Sequence, residues 1–213
     1  MASMPEQLVF EMPHRAAMGL EDFLVSDSNA AAVALIDRWP DWPIGAAILV
    51  GPRGSGKTHL ANVWQLRSEA ALHPAASLTR ENVPAVASAG AVIIENIETL
   101  IDEAALFHLL NLVREQRLQV LLTTDTAPGD LKIALPDLLS RLKALPLASI
   151  EAPDDALLRA VLVKLFADRQ LSVEPHIVDY VLVRMERSMS AAELFVRSEE
   201  HTSEFQSHLN LVC

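Results

Sequence analysis

Cysteine is almost missing from this 213-residue chain: Cys213 is the only one, so no internal disulfide framework can form. That usage fits a reducing compartment. Positive charge is scarce as well. Against 28 Asp and Glu stand 17 Lys and Arg, a formal net charge of −11, and no Lys/Arg run interrupts the acidic balance. Gripping a phosphate backbone by charge needs a basic face, so direct DNA binding is not expected. The apolar runs fall far short of a membrane span. No charged leader with an apolar core and a small-residue cleavage site opens the chain. The seven histidines show no metal-ligand spacing with cysteines or acids, and no internal repeat is visible. These absences predict a soluble, cytoplasmic protein with no membrane partner.

What is present is a core. Hydrophobic residues make up 51% of the sequence, enough for one substantial domain with a small appendage. Residues 1–20, with two prolines and no sustained periodicity, predict a flexible leader. Ser28 or Asn29 can cap a helix through "AAAVALIDRW", which "PDWP" ends. "AAILV" (46–50) has the continuous apolar character of a buried parallel strand, and a helix from Lys57 to about Ala70 follows a glycine-rich loop. Further strands are expected at "ASLTR", "AVIIE", "LQVLLTTD" and "LPLASIE". Between the third and fourth strands, "DEAALFHLLNLVREQ" places Leu106, Leu109, Leu110 and Val113 on one helical face. Alternating strands and helices predict an α/β domain over 21–152 with a five-stranded parallel sheet.

Beyond "EAPDD" only helices are expected, forming a small lid over 153–196. Asp154 or Asp155 caps the first, Pro175 opens a second reaching about Arg187, and Ser190 with Glu193 has the spacing of a capping box for a third. From Arg197 the apolar stripe stops. The segment 197–213, "RSEEHTSEFQSHLNLVC", resembles the translation of a common sequencing adapter, so it is read as a non-native tail and no function is drawn from it. Trp39 and Trp42 in "RWPDWP" are expected to pack the loop rather than to stack on bases.

The chemistry is concentrated in "GPRGSGKT", which satisfies G-x-x-x-x-G-K-[ST] between a strand and a helix. The loop Gly51, Pro52, Arg53, Gly54, Ser55 and Gly56 would turn its backbone N–H groups (proline has none) around phosphate oxygens, and the helix opening at Lys57, Thr58 and His59 adds its positive end. Lys57 would neutralise β/γ-phosphate charge, and the Thr58 hydroxyl would ligate Mg²⁺. The cofactors implied are ADP or ATP with Mg²⁺.

Downstream, "AVIIENIE" offers Glu95 and then Asn96 where a nucleotide-hydrolysing enzyme places two acids. Glu95 can hold Mg²⁺ through water. The Asn96 amide cannot take a proton from water at neutral pH. It can orient a water or sense a γ-phosphate, or it is simply a polar strand end. Fast intrinsic hydrolysis is not expected either way.

These motifs resemble the AAA+ ATPases, and within them the DnaA/Hda group of bacterial replication proteins. "FLVSDSNAAAVALI" is similar to the segment leading into that group's nucleotide domain, "VIIENIE" to its second acidic motif, and "LLTTDTAPGDLKIALPDLLSRL" to the stretch carrying sensor 1 and the arginine-finger helix. The resemblance covers roughly residues 5–196. It implies that Thr124 and Asp125 read the γ-phosphate, and that Arg141 is a finger presented to a neighbour's nucleotide. A guanidinium suits that role because it is always charged and its fork matches phosphate oxygens. Where the family carries a sensor 2 arginine this sequence has Ser190, with Arg187 nearby. Gln7, Leu8 and Phe10 in "QLVFEMP" resemble the short motif that binds the replicative sliding clamp, the β subunit of DNA polymerase III.

The function so implied is regulation of replication initiation: clamp docking, nucleotide binding and stimulated hydrolysis of DnaA-bound ATP, with clamp and DnaA as partners and a homodimer left open. Two other readings stand beside it. One is a self-hydrolysing AAA+ ATPase, such as a DnaA-like initiator fragment or helicase loader. The other is a DNA-binding initiator, which would need a helix-turn-helix module that this sequence does not contain.

Overall fold

A computed structural model describes residues 24–169 and 173–197. The leader with Gln7, Leu8 and Phe10, and the tail from 198, lie outside the described residues. Strand β1 (Ala46–Val50) is fully buried, and its period-2 alternation divides it between two cores. Ala46, Ile48 and Val50 face one cluster, with Leu106, Leu109 and Leu110. Ala47 and Leu49 face the other, with Ile36, Leu60 and Trp64. A strand buried on both sides needs helices on both sides. Helices α1 (Ala30–Asp37) and α2 (Lys57–Ser68) cover one face, while α3 (Val83–Ala87), α4 (Glu103–Gln116) and α5 (Pro136–Ala144) cover the other.

Strands β2 (Ala71–Pro74), β3 (Ala91–Glu95), β4 (Gln119–Thr124) and β5 (Leu147–Ser149) complete a five-stranded sheet in the order β2-β3-β4-β1-β5, parallel at every pairing. Because β4 lies between β1 and β3, the C-terminal ends of all three share one edge. That edge is where ligands bind in open parallel sheets.

Helix α4 follows the sequence pattern closely. Asp102 caps it, its carboxylate accepting the Ala105 N–H at 3.1 Å, and Leu106, Leu109, Leu110 and Val113 are all buried. Helix α6 (Asp155–Asp168) is capped by Asp154, which accepts the Leu157 N–H at 2.7 Å. Helix α7 (Pro175–Leu182) and a last helix α8, residues 189–197, pack with α6 around Leu158, Leu162, Phe166, Val178 and Val196. The tryptophans of the loop are structural: Trp42 stacks on Trp64 at 5.2 Å and donates its indole N–H to the Leu35 carbonyl.

Four local expectations are corrected. "ASLTR" is not a strand: Ala75–Ser77 forms a single 3₁₀ turn, and the edge strand is the preceding "ALHP", which pairs with β3. Asn29 precedes α1 without capping it by its side chain; instead it bonds backward, Oδ1 accepting the Ser26 N–H and Nδ2 donating to the Leu24 carbonyl. Helix α7 ends at Leu182, five residues before Arg187. The cap of α8 is Ser188, whose Oγ accepts the Ala191 N–H at 3.1 Å, so Ser190 lies inside the helix.

Candidate functional site

The loop from Gly51 to Gly56 leaves the C-terminal end of β1 and enters α2 at Lys57. It is held at its root by the Gly51 N–H, which donates to the Thr124 carbonyl at 3.1 Å and ties the loop to the end of β4. A Cβ on Gly51 would fall 2.3 Å from the Ile150 carbonyl oxygen, a backbone atom that cannot yield. Gly54 has φ +73, and a Cβ there would meet the Ser188 Cβ at 2.5 Å. Glycine is therefore required at both places by what surrounds the loop.

Lys57 is buried, and its Nζ donates to the carbonyls of Gly51 (2.6 Å) and Pro52 (2.9 Å). One ammonium N–H remains to be directed outward. Burial lowers the Lys57 pKa from its ordinary value near 10.5, opposed by the carboxylates of Glu98 and Asp125. Lys57, Thr58, His59, Arg53, Gly54 and Gly56 all border a cleft of about 570 Å³.

β3 ends in Glu95, which does not border the cleft, and the chain continues into Asn96, which does. Glu95 Oε1 is buried without a hydrogen-bond partner, as is Ser55 Oγ in the phosphate loop. A buried carboxylate oxygen left unpaired is costly, and a hydrated cation relieves that cost. The residues therefore fit Mg²⁺ held by the Thr58 hydroxyl, with Glu95 acting through water, and phosphate oxygens supplying the remaining ligands. Among the described residues no group of three or more His, Cys, Asp or Glu could hold a metal by itself.

Asn96 stands at φ 58, ψ 56, a left-handed conformation in which asparagine is several-fold enriched. Its backbone N–H donates to the Thr123 hydroxyl at 3.1 Å, and its side chain borders the cleft. This turn swings the chain into the 3₁₀ segment Ile97–Thr99 and brings Glu98 back to the cleft, where Glu98 Oε2 accepts the Asp125 N–H at 3.3 Å. Sequence reasoning passed over Glu98. The signal was the "ENIE" spacing, legible only if Asn96 is read as a left-handed hinge.

Thr124 and Asp125 end β4 beside this site, but their side chains are otherwise engaged. The Thr124 hydroxyl is buried and exchanges hydrogen bonds with the backbone of Thr126. Asp125 accepts from the Thr126 hydroxyl at 2.8 Å and lies 3.6 Å from Arg53 of the phosphate loop. Neither residue borders the cleft.

The lid closes the other side. The Met189 N–H donates to the Gly54 carbonyl at 2.8 Å, joining the start of α8 to the loop. Ser190 and Glu193 border the cleft, whereas Arg187 pairs with Asp155 at 2.9 Å and does not. A second hollow of about 230 Å³, with Leu24, Leu157, Val161 and Leu165 on its walls, shares Gly56, His59, Met189 and Glu193 with the first. Together they form one site, with a charged half suited to phosphates and an apolar half suited to a flat base. The base half was not foreseen, since its walls come from segments more than a hundred residues apart.

Arg141 lies elsewhere. It sits on α5 with its guanidinium carbon 4.5 Å from the Phe107 ring centroid, and it borders a different cleft beside Gly45, Ala46 and Gln119, at the N-terminal ends of β1 and β4. The length of β1, roughly 16 Å at about 3.3 Å per residue, separates those strand ends from the phosphate loop.

No protein-family model and no curated protein matches the chain. Solved structures do. The replication initiator DnaA bound to AMPPCP and single-stranded DNA is 18% identical, with a TM-score of 0.73, over 85% of this chain and 64% of that one. Domain III of the Thermotoga maritima initiator DnaA is 17% identical, with a TM-score of 0.74, over 88% and 89%. The Thermotoga maritima RuvB Holliday junction branch migration motor is 18% identical, with a TM-score of 0.56, over 71% and 53%. The chain thus spans less than two thirds of the DnaA structure bound to AMPPCP but most of the isolated domain III. These likenesses establish the fold, a five-stranded parallel sheet between helices shared with domain III of DnaA and with RuvB.

Proposed function

We propose that this chain is a regulator of DNA replication initiation of the Hda kind. It binds ADP or ATP with Mg²⁺ between phosphate loop and lid, docks on the sliding clamp through Gln7, Leu8 and Phe10, and stimulates hydrolysis of DnaA-bound ATP with Arg141. The observation that carries the reading is the position of Arg141, at the opposite end of β1 from its own phosphate loop. A guanidinium there cannot serve its own nucleotide and is available to a neighbour's. Supporting it, Asn96 replaces the base that intrinsic hydrolysis would need, and the neighbours of this fold include an initiator with AMPPCP bound.

In this mechanism the chain's own nucleotide holds shape. Lys57 and the loop N–H groups would bind phosphate, the Thr58 hydroxyl and, through water, Glu95 would hold the metal, and the Met189–Gly54 bond seats the lid. Mg²⁺, when bound, neutralises phosphate charge. Arg141, steadied on Phe107, supplies positive charge where it develops on a partner's transferring phosphoryl group, an effect worth about 10³ to 10⁵ in rate for arginine fingers generally. Arg141→Ala is expected to abolish stimulation while leaving nucleotide binding intact; full stimulation by the variant overturns the assignment. Gln7→Ala, Leu8→Ala, Phe10→Ala together are expected to abolish clamp binding.

One observation favours the second reading, a self-hydrolysing ATPase: Glu98 stands in the cleft as a carboxylate able to accept a proton from water. Basal turnover that disappears in Glu98→Gln would support it.

A further inference from the structure

Basic side chains are few in this acidic chain, yet Arg114, Arg117 and Arg141 all border one cleft of about 760 Å³ at the N-terminal ends of β1 and β4. Among the described residues, none of the three forms a salt bridge. Three guanidinia facing one space with no ion-pair partner concentrate positive charge there, screened by solvent at the exposed Arg114 and Arg117, and an anionic surface would gain from meeting it. Arg117 adds a backbone cost. It follows α4 at φ 55, ψ 30, a left-handed position that glycine or asparagine would occupy with less strain. The walls between the arginines are apolar, with Ile44, Leu110 and Leu145, and Ile44 is 38% exposed. Arginines set around apolar side chains are the composition of a protein interface rather than of a small-ion site.

We propose that Arg114 and Arg117 are docking residues beside Arg141: they seat on carboxylates that flank a partner subunit's bound nucleotide while Arg141 meets the phosphate. This inference rests on the activator reading above. The occupant is a second AAA+ module carrying ATP, and the charge complementarity is visible within this chain itself. Its own nucleotide cleft sets Glu98 and Glu193 against Arg53 and Lys57, with Glu95 and Asp125 close enough to act on Lys57, so a bound nucleoside triphosphate tips its balance to negative. A module of this architecture shows acid and phosphate at the C-terminal edge of its sheet, and this chain shows three guanidinia at the N-terminal edge. Head-to-tail contact pairs opposite signs, and like-to-like contact does not.

The test is the affinity of the full chain for DnaA loaded with the non-hydrolysable analogue AMPPCP, with clamp on DNA, across a salt series. It runs beside the rate of hydrolysis of DnaA-bound ATP at saturating chain. The variant is Arg114→Ala with Arg117→Asn, since asparagine accepts the left-handed backbone. Affinity is expected to fall about tenfold or more and its salt dependence to flatten, with the saturated rate within about twofold of the unaltered chain. Arg141→Ala is expected to do the reverse. Unchanged affinity and salt slope in the double variant overturn the inference, even if Arg141→Ala abolishes stimulation. Full stimulation by Arg141→Ala overturns the activator reading instead, and the affinity arm still decides the role of Arg114 and Arg117. If the double variant loses its thermal transition, Arg114→Glu, at an exposed helix position, carries the same expectation.

Discussion

The Arg141 guanidinium rests 4.5 Å from the centre of the Phe107 ring, which couples α5 to α4 through a cation and an aromatic face. A long, flexible side chain is thereby held near one orientation before any partner arrives, and less ordering is left to be done on binding. Such a contact contributes roughly 0.5–1 kcal/mol at a partly exposed site. Phe107→Leu keeps the apolar bulk and removes the aromatic face. Stimulation of a partner's hydrolysis is expected to fall about two- to fivefold in that variant, measured as single-turnover rate, with the thermal midpoint little changed. An unaltered rate would mean that Arg141 needs no preorganisation.

Asn96 has two separable roles, conformational and chemical. Asn96→Gly keeps the left-handed hinge and loses the amide; Asn96→Ala strains the hinge, at a cost of about 1 kcal/mol. Thermal unfolding should rank the alanine variant below the glycine variant. Asn96→Asp supplies a base at the strand end and is expected to raise basal ATP turnover by about tenfold or more, below the 10² to 10⁴ of a fully positioned base. Basal turnover unchanged in Asn96→Asp would show that water does not approach this residue.

Lys57 gives a pH test with opposite signs for binding and stability. Burial, its largest influence, lowers the pKa below 10.5. Nucleotide affinity should therefore decline as alkaline pH passes through that lowered value, because the ammonium that meets phosphate is lost. Over the window from the lowered pKa up to 10.5 the unfolded chain holds more protons than the folded one, so this group's contribution to stability rises with pH. Titration of affinity and of urea midpoint across that range, with Lys57→Met as the control that shows neither slope, separates the two.

Gly54→Ala places a Cβ 2.5 Å from the Ser188 Cβ and forces a left-handed alanine. The Met189–Gly54 hydrogen bond should break and α8 should lift from the loop. A loss of about 1–3 kcal/mol in stability is expected from such crowding, together with weaker nucleotide binding. A calorimetric scan beside a nucleotide titration measures both, and normal binding would show that the lid does not close the site through this bond.

Much of the fold was legible because its signals are periodic. Leu106, Leu109, Leu110 and Val113 repeat at helical spacing and are buried together, and "AAILV" before a glycine-rich loop left little choice but a central parallel strand. The edge strand was misplaced because "ALHP" carries no apolar run; half-exposed edge residues are under little pressure to be hydrophobic. The capping-box spacing of Ser190 and Glu193 drew attention from Ser188, whose hydroxyl caps without a partner acid. In the site, the glycine-rich loop after β1 and the strand end of β3 could be placed directly because their sequence patterns are local. The approach of Glu98, the turn that occupies Thr124 and the shared wall with Met189 depend on a left-handed residue and on contacts between distant segments, which no local pattern encodes.

The most direct test of trans action is single-turnover hydrolysis of ATP preloaded on DnaA, with clamp on DNA, by the unaltered chain, Arg141→Ala and Arg141→Lys. A finger that works through its bidentate fork requires stimulation by the unaltered chain, loss in both variants, and affinity for the partner preserved throughout. Stimulation by Arg141→Ala equal to that of the unaltered chain would contradict it.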